Sequence, residues 1–206
     1  MTSQRHNRAV DNSAGADEAG SARDIPAPIL DATRAAVLAV GVRRTTLTDV
    51  ARRAGVSRMT VYRLVPDVNT LILEVMTRDL AALFAVAEAS ARRRRTARSR
   101  LVAIVVEICR RLPREPLLRR VLDVDPELLL PYLTDRWGAT QRLATAHVRA
   151  VLVEGQADGS IRRGDAETMA RMLVLLTTPY VVSSGSIASL DPYAELERLV
   201  DRWLRP

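Results

Sequence analysis

The chain has 206 residues, 48% of them hydrophobic, so it has enough apolar surface for a buried core and is not a wholly disordered protein. Its formal net charge is +7, every basic residue is an arginine, and the single cysteine, Cys109, excludes an intrachain disulfide. No signal core opens the chain, and the charge-free run 172–190 contains Pro179 and Gly185, which favours a buried helix over a membrane span. We therefore expect a cytoplasmic protein with no membrane contact.

The first predicted helix follows a polar segment. Residues 1–24 are rich in Ser, Ala, Asn, Asp and Arg without hydrophobic periodicity, which predicts a disordered tail. A helix then opens near Pro26 and Pro28, residues favoured in a first turn, and ends at Gly41. Its inner stripe consists of Ile29, Ala32, Ala36, Val37 and Val40.

Residues 46–62 predict two very short helices joined by a tight turn. Thr46 is a hydroxyl cap with Asp49 three residues later, a spacing that satisfies the free amides at a helix start. Gly55 suits a left-handed helix end, and Ser57 is a second N-cap. Helices this short form only when neighbours pack them, and a steep pair whose second helix presents Arg, Thr and Tyr is typical of a DNA-reading helix-turn-helix.

The charge and side chains around this segment favour DNA. Between Ile25 and Val65, seven arginines accompany two aspartates, a net charge of +5. We expect sequence readout from Arg58, Met59, Tyr62 and Arg63, because a guanidinium donates twice to guanine and a thioether fits a thymine methyl. The residues expected near the phosphate backbone are Thr46, Thr48, Ser57, Thr60 and Tyr62.

Residues 54–63, with the sequence AGVSRMTVYR, resemble the TetR family of bacterial transcriptional regulators. The similarity extends over about 29–75 and includes Gly41, Thr45, Thr46, Val50 and Ala51 at the family's spacing. The chain has Leu64 and Val65 where the family usually has a histidine and an aromatic residue, and Val68 where it usually has a lysine. The resemblance implies a body that dimerises through its last two long helices and encloses a small-molecule pocket.

The rest of the chain predicts helix after helix. A long fourth helix begins near Pro66 with Asp67 as its cap, and the basic run 92–95 after it fits a solvated surface. Later helices are expected at about 137–154, at about 165–184 and after Asp191. The predicted fold class is all-α, with a disordered tail (1–24), a helix-turn-helix DNA-binding domain (25–71) and a helical regulatory and dimerisation domain (72–206).

Catalytic and metal-binding chemistry finds little support in this chain. His6 and His147 stand far apart, and Cys109 lies on an apolar helix face. The acidic cluster of Asp123, Asp125 and Glu127 is interpreted as helix capping around Pro126. We find no glycine-rich phosphate loop, and we expect no enzyme activity, no cofactor and no metal.

Two sets of body residues are candidate sites. The candidate pocket residues, each of which also fits a plain core, are Cys109, Leu112, Tyr132, Trp137, His147, Met169, Met172 and Tyr180. The candidate dimer interface consists of Leu175, Leu196, Leu199, Val200 and Trp203 on the last two helices, which pack in pairs as a four-helix bundle.

The functional hypothesis is a ligand-responsive transcriptional regulator. It would bind a near-palindromic double-stranded operator as a homodimer, act as a repressor, and be released by an apolar small molecule. One alternative is a DNA-binding regulator without a small-molecule effector, controlled by abundance or a protein partner. Another is an enzyme or ligand carrier on a helical scaffold. The sequence names neither the operator and target genes nor the effector.

Overall fold

The computed structural model describes residues 24–183 and 191–206, and these residues contain helices and no β-strand. The helices are α1 (Ala27–Val40), α2 (Leu47–Ala54), α3 (Arg58–Leu64), α4 (Val68–Ala91), α5 (Ala97–Arg111), α6 (Pro116–Val124), α7 (Leu130–Thr134), α8 (Ala139–Ala157), α9 (Ala166–Ser183) and α10 (Tyr193–Leu204). Two 3-10 turns, Leu112–Arg114 and Pro126–Leu128, lie on either side of α6. The predicted all-α class is confirmed, while the predicted tail, apart from Asp24, lies outside the described residues.

The local signals around α2 and α3 act as the sequence predicts, with one exception. The Thr46 hydroxyl accepts the Asp49 amide at 3.1 Å, and the Ser57 hydroxyl accepts the Thr60 amide at 3.1 Å. Gly55 adopts φ 68°, the left-handed conformation that costs glycine little, and so ends α2. The Asp49 carboxylate does not reach back to Thr46, because it binds the guanidinium groups of Arg52 and Arg53 on the next turn of α2.

Helix α4 connects the N-terminal helices α1–α3, called the head below, to the remaining helices, called the body. Its N-cap is Asp67, whose carboxylate accepts the Thr70 amide at 2.7 Å. With 24 residues α4 is about 36 Å long, and it packs on α1 at one end and on α5 and α8 along its length. One apolar core continues from Ile29 in α1 through Leu71 in α4 to Leu204 in α10, so head and body share a buried interior.

The body is a bundle in which α8 lies parallel to α4. The hydroxyls of Thr77 and Thr140 are 2.9 Å apart, and seven residues further along each helix the rings of Phe84 and His147 stack at 4.5 Å. Helix α9 packs on α8, and α10 packs on α5. Among the described helices, none combines the length and the hydropathy that a membrane span requires.

Candidate DNA interface, cavity and exposed apolar face

Helix α3 is held by one buried residue and presents most of its other side chains to solvent. Val61 is fully buried on the side of α3 that packs against α2, whereas Met59 is 68% exposed and Tyr62 is 54% exposed. The remaining α3 candidates and its cap are also exposed, namely Ser57, Arg58, Thr60 and Arg63. The predicted readout residues therefore lie together on one accessible helix, and contact with DNA stays a prediction.

The Thr46 and Thr48 side chains lie at the start of α2. Thr46 is exposed and Thr48 is half-buried. The Thr46 hydroxyl already accepts an amide of its own helix, so a phosphate contact would use its remaining hydrogen-bonding capacity.

Five of the seven arginines of the head form ion pairs or a hydrogen bond with other groups of the chain, and two do not. Arg34 binds Asp79 at 3.1 Å, and the pairs that Arg52 and Arg53 form with Asp49 hold the pKa of that carboxyl below its usual range. Arg43 pairs with body carboxylates, and Arg44 donates to the Val40 carbonyl at 2.9 Å. Arg58 and Arg63 have no side-chain hydrogen bond or ion pair within the described parts of the chain, so their five donors each remain available.

A cavity of about 1450 Å³ opens between α4, α5, α8, α9 and the segment before α8. Its deep wall is apolar and includes Leu80, Phe84, Val105 and Ile108, while Glu74, Thr77 and Arg136 contribute polar groups. Four of the predicted pocket residues line it: Cys109, Leu112, Tyr132 and Trp137. Burial raises the pKa of the Cys109 thiol to about 12, so this wall presents a neutral thiol at physiological pH.

The other four predicted pocket residues do not line this cavity. His147 lies outside the cavity lining, stacked on Phe84 with its Nδ1 2.7 Å from Glu88. Helix α9 turns a different stripe to the cavity: Leu173, Val174, Thr177, Thr178 and Val181. Met169 is buried one turn before that stripe, Met172 is 45% exposed, and Tyr180 packs on the main core, where burial raises its pKa.

Helix α9 also carries the exposed apolar face of the body. Met172, Leu175 and Leu176 are 45%, 52% and 56% exposed, and Leu199 on α10 is 58% exposed. Apolar side chains grouped on one helix are typical of an interaction surface. Leu175 and Leu199 from the predicted dimer interface are thus available to a second chain.

Three other predicted interface residues belong to the chain's own interior. Val200 is 1% exposed within the core, and Leu196 packs against that core. Trp203 lies under the guanidinium of Arg162, which is 4.9 Å from its ring centre. Helix α10 uses its apolar stripe to cover α5, so Val200 is not accessible to a second chain, whereas contact of the half-buried Leu196 and Trp203 with a second chain stays a prediction.

The sequence interpretation missed a buried contact between head and body. Asp125 does not cap the turn at Pro126. Its carboxylate accepts the Val42 amide at 3.2 Å, and Arg43 Nε lies 2.9 Å from its other oxygen as an ion pair. Arg43 also binds Glu127, and this hydrogen bond raises the pKa of Arg43 and lowers that of Glu127. No local pattern signals a contact between residues 83 positions apart.

Comparison with known proteins places these features in a recognised class. Residues 29–64 match the model described as bacterial regulatory proteins, tetR family. An uncharacterised HTH-type transcriptional regulator of Mycobacterium bovis is 34% identical over 168 residues, covering 82% of this chain and 86% of that protein.

Two solved structures share the fold over most of their length. The repressor QsdR of R. erythropolis has a TM-score of 0.67 at 15% identity, with 85% of this chain and 92% of that chain covered. FadR of Bacillus subtilis in complex with stearoyl-CoA has a TM-score of 0.57 at 16% identity, with 85% and 95% covered. At these identities the likeness concerns the fold.

Proposed function

The chain belongs to the tetR family of bacterial regulatory proteins, and on that premise we propose that it is a ligand-responsive transcriptional repressor. It binds a near-palindromic operator as a homodimer in the bacterial cytoplasm and leaves it when an apolar small molecule occupies the body. One observation carries the proposal. Among the described residues, α3 has two arginines without partners, the body contains a large cavity with apolar walls, and one continuous apolar core joins the head to the body.

The DNA-binding part is supported by the arrangement of α3. Arg58 and Arg63 keep all their donors, and Met59 and Tyr62 stand more than half exposed beside them. A helix of this kind enters the major groove, where arginine pairs with guanine and an apolar side chain contacts a thymine methyl. Thr46 at the start of α2 adds a hydroxyl near the backbone of the same duplex.

Dimerisation is supported by the apolar face of α9. Met172, Leu175 and Leu176 form an exposed apolar stripe about one helical turn long, and Leu199 of α10 is exposed as well. Two copies that pack these surfaces symmetrically bury the stripe in a helical bundle. A two-fold dimer then presents two α3 helices to half-sites separated by about 34–36 Å, one turn of the duplex.

The effector is supported by the size and lining of the cavity. A volume of about 1450 Å³ accommodates a molecule larger than most metabolites, and the deep wall of Leu80, Phe84, Val105 and Ile108 suits an apolar body. The FadR structure, which has the same fold, holds stearoyl-CoA, a ligand with a long apolar chain. Among the described residues no cluster of metal ligands competes with this assignment.

Ligand binding acts by shifting a population. A molecule that fits the cavity better when the two heads no longer match successive major grooves moves the protein toward that state. A coupling free energy of about 1–3 kcal/mol changes operator affinity about 5- to 150-fold, which is enough for a switch.

Selection of DNA and release by metabolites test the proposal. A random-sequence duplex library is bound to the protein over several rounds, and the enriched duplex is used in a mobility-shift assay with a panel of fatty acids, acyl-CoA esters, and other hydrophobic metabolites. Enrichment of a palindrome followed by release with one class supports the full proposal. Enrichment without release by any compound leaves a regulator that has no effector of this class, and no enrichment overturns the DNA-binding assignment.

A further inference from the structure

A segment of fourteen residues, 125–138, joins the end of α6 to the start of α8 and is called the strap below. It contains the 3-10 turn Pro126–Leu128 and the short helix α7 (Leu130–Thr134). One end of the strap contacts the DNA-binding head, and the other end contacts α8 beside the cavity. Its two ends thus touch the two parts of the molecule that the proposed function requires to communicate.

At the head end the contact is made by Asp125. The side chain of Asp125 is only 3% exposed, and its two oxygens face Val42 N at 3.2 Å and Arg43 Nε at 2.9 Å. Glu127, two residues further on, adds a second ion pair to Arg43. A buried carboxylate is stable only while such partners remain, so the turn after α1 is fixed to the strap.

At the other end the contact is made by Gln141 of α8. Its side-chain Nε2 donates to the Tyr132 carbonyl at 2.9 Å, and its Oε1 accepts the Gly138 amide at 3.1 Å. A Cβ on Gly138 would lie 2.7 Å from the Tyr132 ring, which is too close for a side chain. The ring therefore packs directly against the Gly138 backbone. One side chain therefore holds the α7 end of the strap against α8.

Between these contacts the strap forms a cavity wall, in which Leu129 is buried in the main core while α7 has little packing of its own. Leu129, Tyr132, Leu133 and Trp137 line the cavity. The main packing partner of α7 is the 3-10 turn before it, and Leu130 is 56% exposed. Segments with few buried contacts open at low free energy, so α7 is the part of this wall that yields most easily to a ligand.

Movement at the middle of the strap is transmitted to its head end by consecutive hydrogen-bonded turns. Leu128 N donates to Asp125 O at 3.1 Å, Leu129 N donates to Pro126 O at 3.0 Å, and Tyr132 N donates to Leu129 O at 3.0 Å. Because hydrogen bonds link these turns, Tyr132 and Asp125 cannot move far relative to each other. A displaced Tyr132 therefore pulls on the buried carboxylate.

Arg120 of α6 lies close to that carboxylate but forms no ion pair with it. Arg120 Nη2 and Asp125 Oδ2 lie 3.6 Å and 3.9 Å from the same point, the position a Cβ would take on Gly41. Arg120 Nε is buried and has no hydrogen-bond partner within the described residues. Asp125 Oδ1 is likewise buried and accepts no hydrogen bond from the described residues, so each of these two side chains keeps a hydrogen-bonding atom for the other when the Val42 and Arg43 contacts open.

We propose that the strap couples occupancy of the cavity to the DNA-binding head, with Asp125 exchanging Val42 and Arg43 for Arg120 when a ligand displaces Tyr132. This inference rests on the proposed function and assigns positioning roles to Asp125 and Gln141. Release of Val42 and Arg43 frees the turn between α1 and α2, and with it the orientation of α3 relative to the body.

The test is a double-mutant cycle that requires no ligand. Gln141→Ala removes the contact at the cavity end and so imitates a displaced strap, and Asp125→Asn removes the charge at the head end. Hydrogen exchange of the Val42 amide in the full-length free protein is the first readout. Asp123→Asn, an exposed acid two residues before Asp125, is the matched control.

Coupling predicts non-additive changes. Gln141→Ala speeds exchange at Val42 about tenfold in the wild-type and Asp123→Asn backgrounds and changes it less than about twofold in the Asp125→Asn background. Equal effects of Gln141→Ala in all three backgrounds overturn the inference. If Asp125→Asn does not fold, Arg43→Gln, whose side chain is 73% exposed, replaces it in the same cycle.

Affinity for the enriched duplex is the second readout and separates the two proposals. Gln141→Ala is expected to weaken DNA binding about tenfold, and the loss should be absent when Asp125→Asn is already present. Absence of DNA binding by every variant, the wild type included, contradicts the proposed function, while the exchange cycle still decides on the strap. Additive losses of affinity contradict the strap and leave the proposed function standing.

Discussion

At the scale of single residues, ion pairing decides which arginines are available to DNA. The sequence counts seven arginines in the head, but Arg52 and Arg53 share Asp49, and Arg34 and Arg43 bind carboxylates of α4 and of the body. A paired guanidinium has fewer free donors and less net positive charge to offer to a phosphate or a base. The unpaired arginines of α3 are therefore expected to dominate specific binding.

Arg58→Ala is expected to cost about 1–3 kcal/mol on the enriched duplex and to relax preference at one base pair, because a bidentate contact with guanine is lost. The measurement is a titration against the enriched duplex and against point-substituted duplexes. Arg52→Ala serves as the control, since Arg52 is paired within α2. Equal losses on random and enriched DNA would instead assign Arg58 to the phosphate backbone.

Cys109 gives the chain a stability dependence at alkaline pH. Its folded pKa is about 12, against an ordinary value of 9.0, because burial disfavours the thiolate. Above pH 9.0 the unfolded chain loses this proton while the folded chain keeps it, so the free energy of unfolding falls as pH rises toward 12.

Chemical denaturation of wild type and Cys109→Ala between about pH 7 and about pH 11 measures this dependence. The difference between the two proteins should be constant up to pH 9.0, the ordinary thiol value, and then shrink as pH rises. A difference that stays constant over the whole range would show that the thiol titrates normally in the folded chain.

At the scale of helices, the sequence predicts where a helix begins and ends. It does not predict which side of a helix faces the cavity and which side faces solvent. Thr46, Gly55, Ser57 and Asp67 act within three or four residues of themselves, so the sequence alone places the ends of α2, α3 and α4. The outcome differs for α9, which is apolar on most sides. Periodicity cannot tell which of its stripes faces the cavity and which faces solvent, because neighbouring helices make that choice.

The candidate pocket shows the same division. Cys109 and Tyr132 line the cavity because apolar residues of the body surround a shared interior, whereas His147 stacks on Phe84 outside the cavity lining. Asp125 was interpreted as a cap because an acid next to proline usually serves a local role. Its true partners, Val42 and Arg43, become neighbours only after folding.

Leu175→Arg is expected to separate the dimer without unfolding the chain. Leu175 is 52% exposed on α9, so the arginine reaches water in the monomer but would be buried and unpaired in an apolar seam. Analytical ultracentrifugation should give a monomer, and circular dichroism should retain the helical signal. A dimeric Leu175→Arg protein would place the interface elsewhere.

Val200→Arg is the contrasting variant. Val200 is 1% exposed in the chain's own core, so a charge there is expected to unfold the protein rather than to dissociate it. A folded monomer from Val200→Arg would contradict its assignment to the interior.

At the scale of the whole molecule, the continuous core makes head and body one mechanical unit. Ile29, Leu71 and Leu204 belong to the same apolar cluster, and Arg34 of α1 binds Asp79 near the middle of α4. A ligand in the body therefore does not act on an independent head joined by a loose linker. On the proposed mechanism a ligand would change the balance between two packings of one interior, and modest energies suffice for that.

An apolar effector is expected to raise the melting temperature of the whole chain. A ligand that binds only the folded state at about 100 times its dissociation constant stabilises it by about 2.7 kcal/mol, which corresponds to a rise of about 5–11 °C for a chain of this size. Differential scanning fluorimetry with the hydrophobic panel, Mg²⁺, Zn²⁺ and ATP measures the effect.

Thr177→Phe places a ring in the cavity, because Thr177 lines it, and should abolish the shift, whereas Ala146→Phe, at an exposed position of α8, should not. A shift with a metal ion or ATP and none with hydrophobic compounds would contradict the assignment, and a shift that survives Thr177→Phe would locate the ligand outside this cavity.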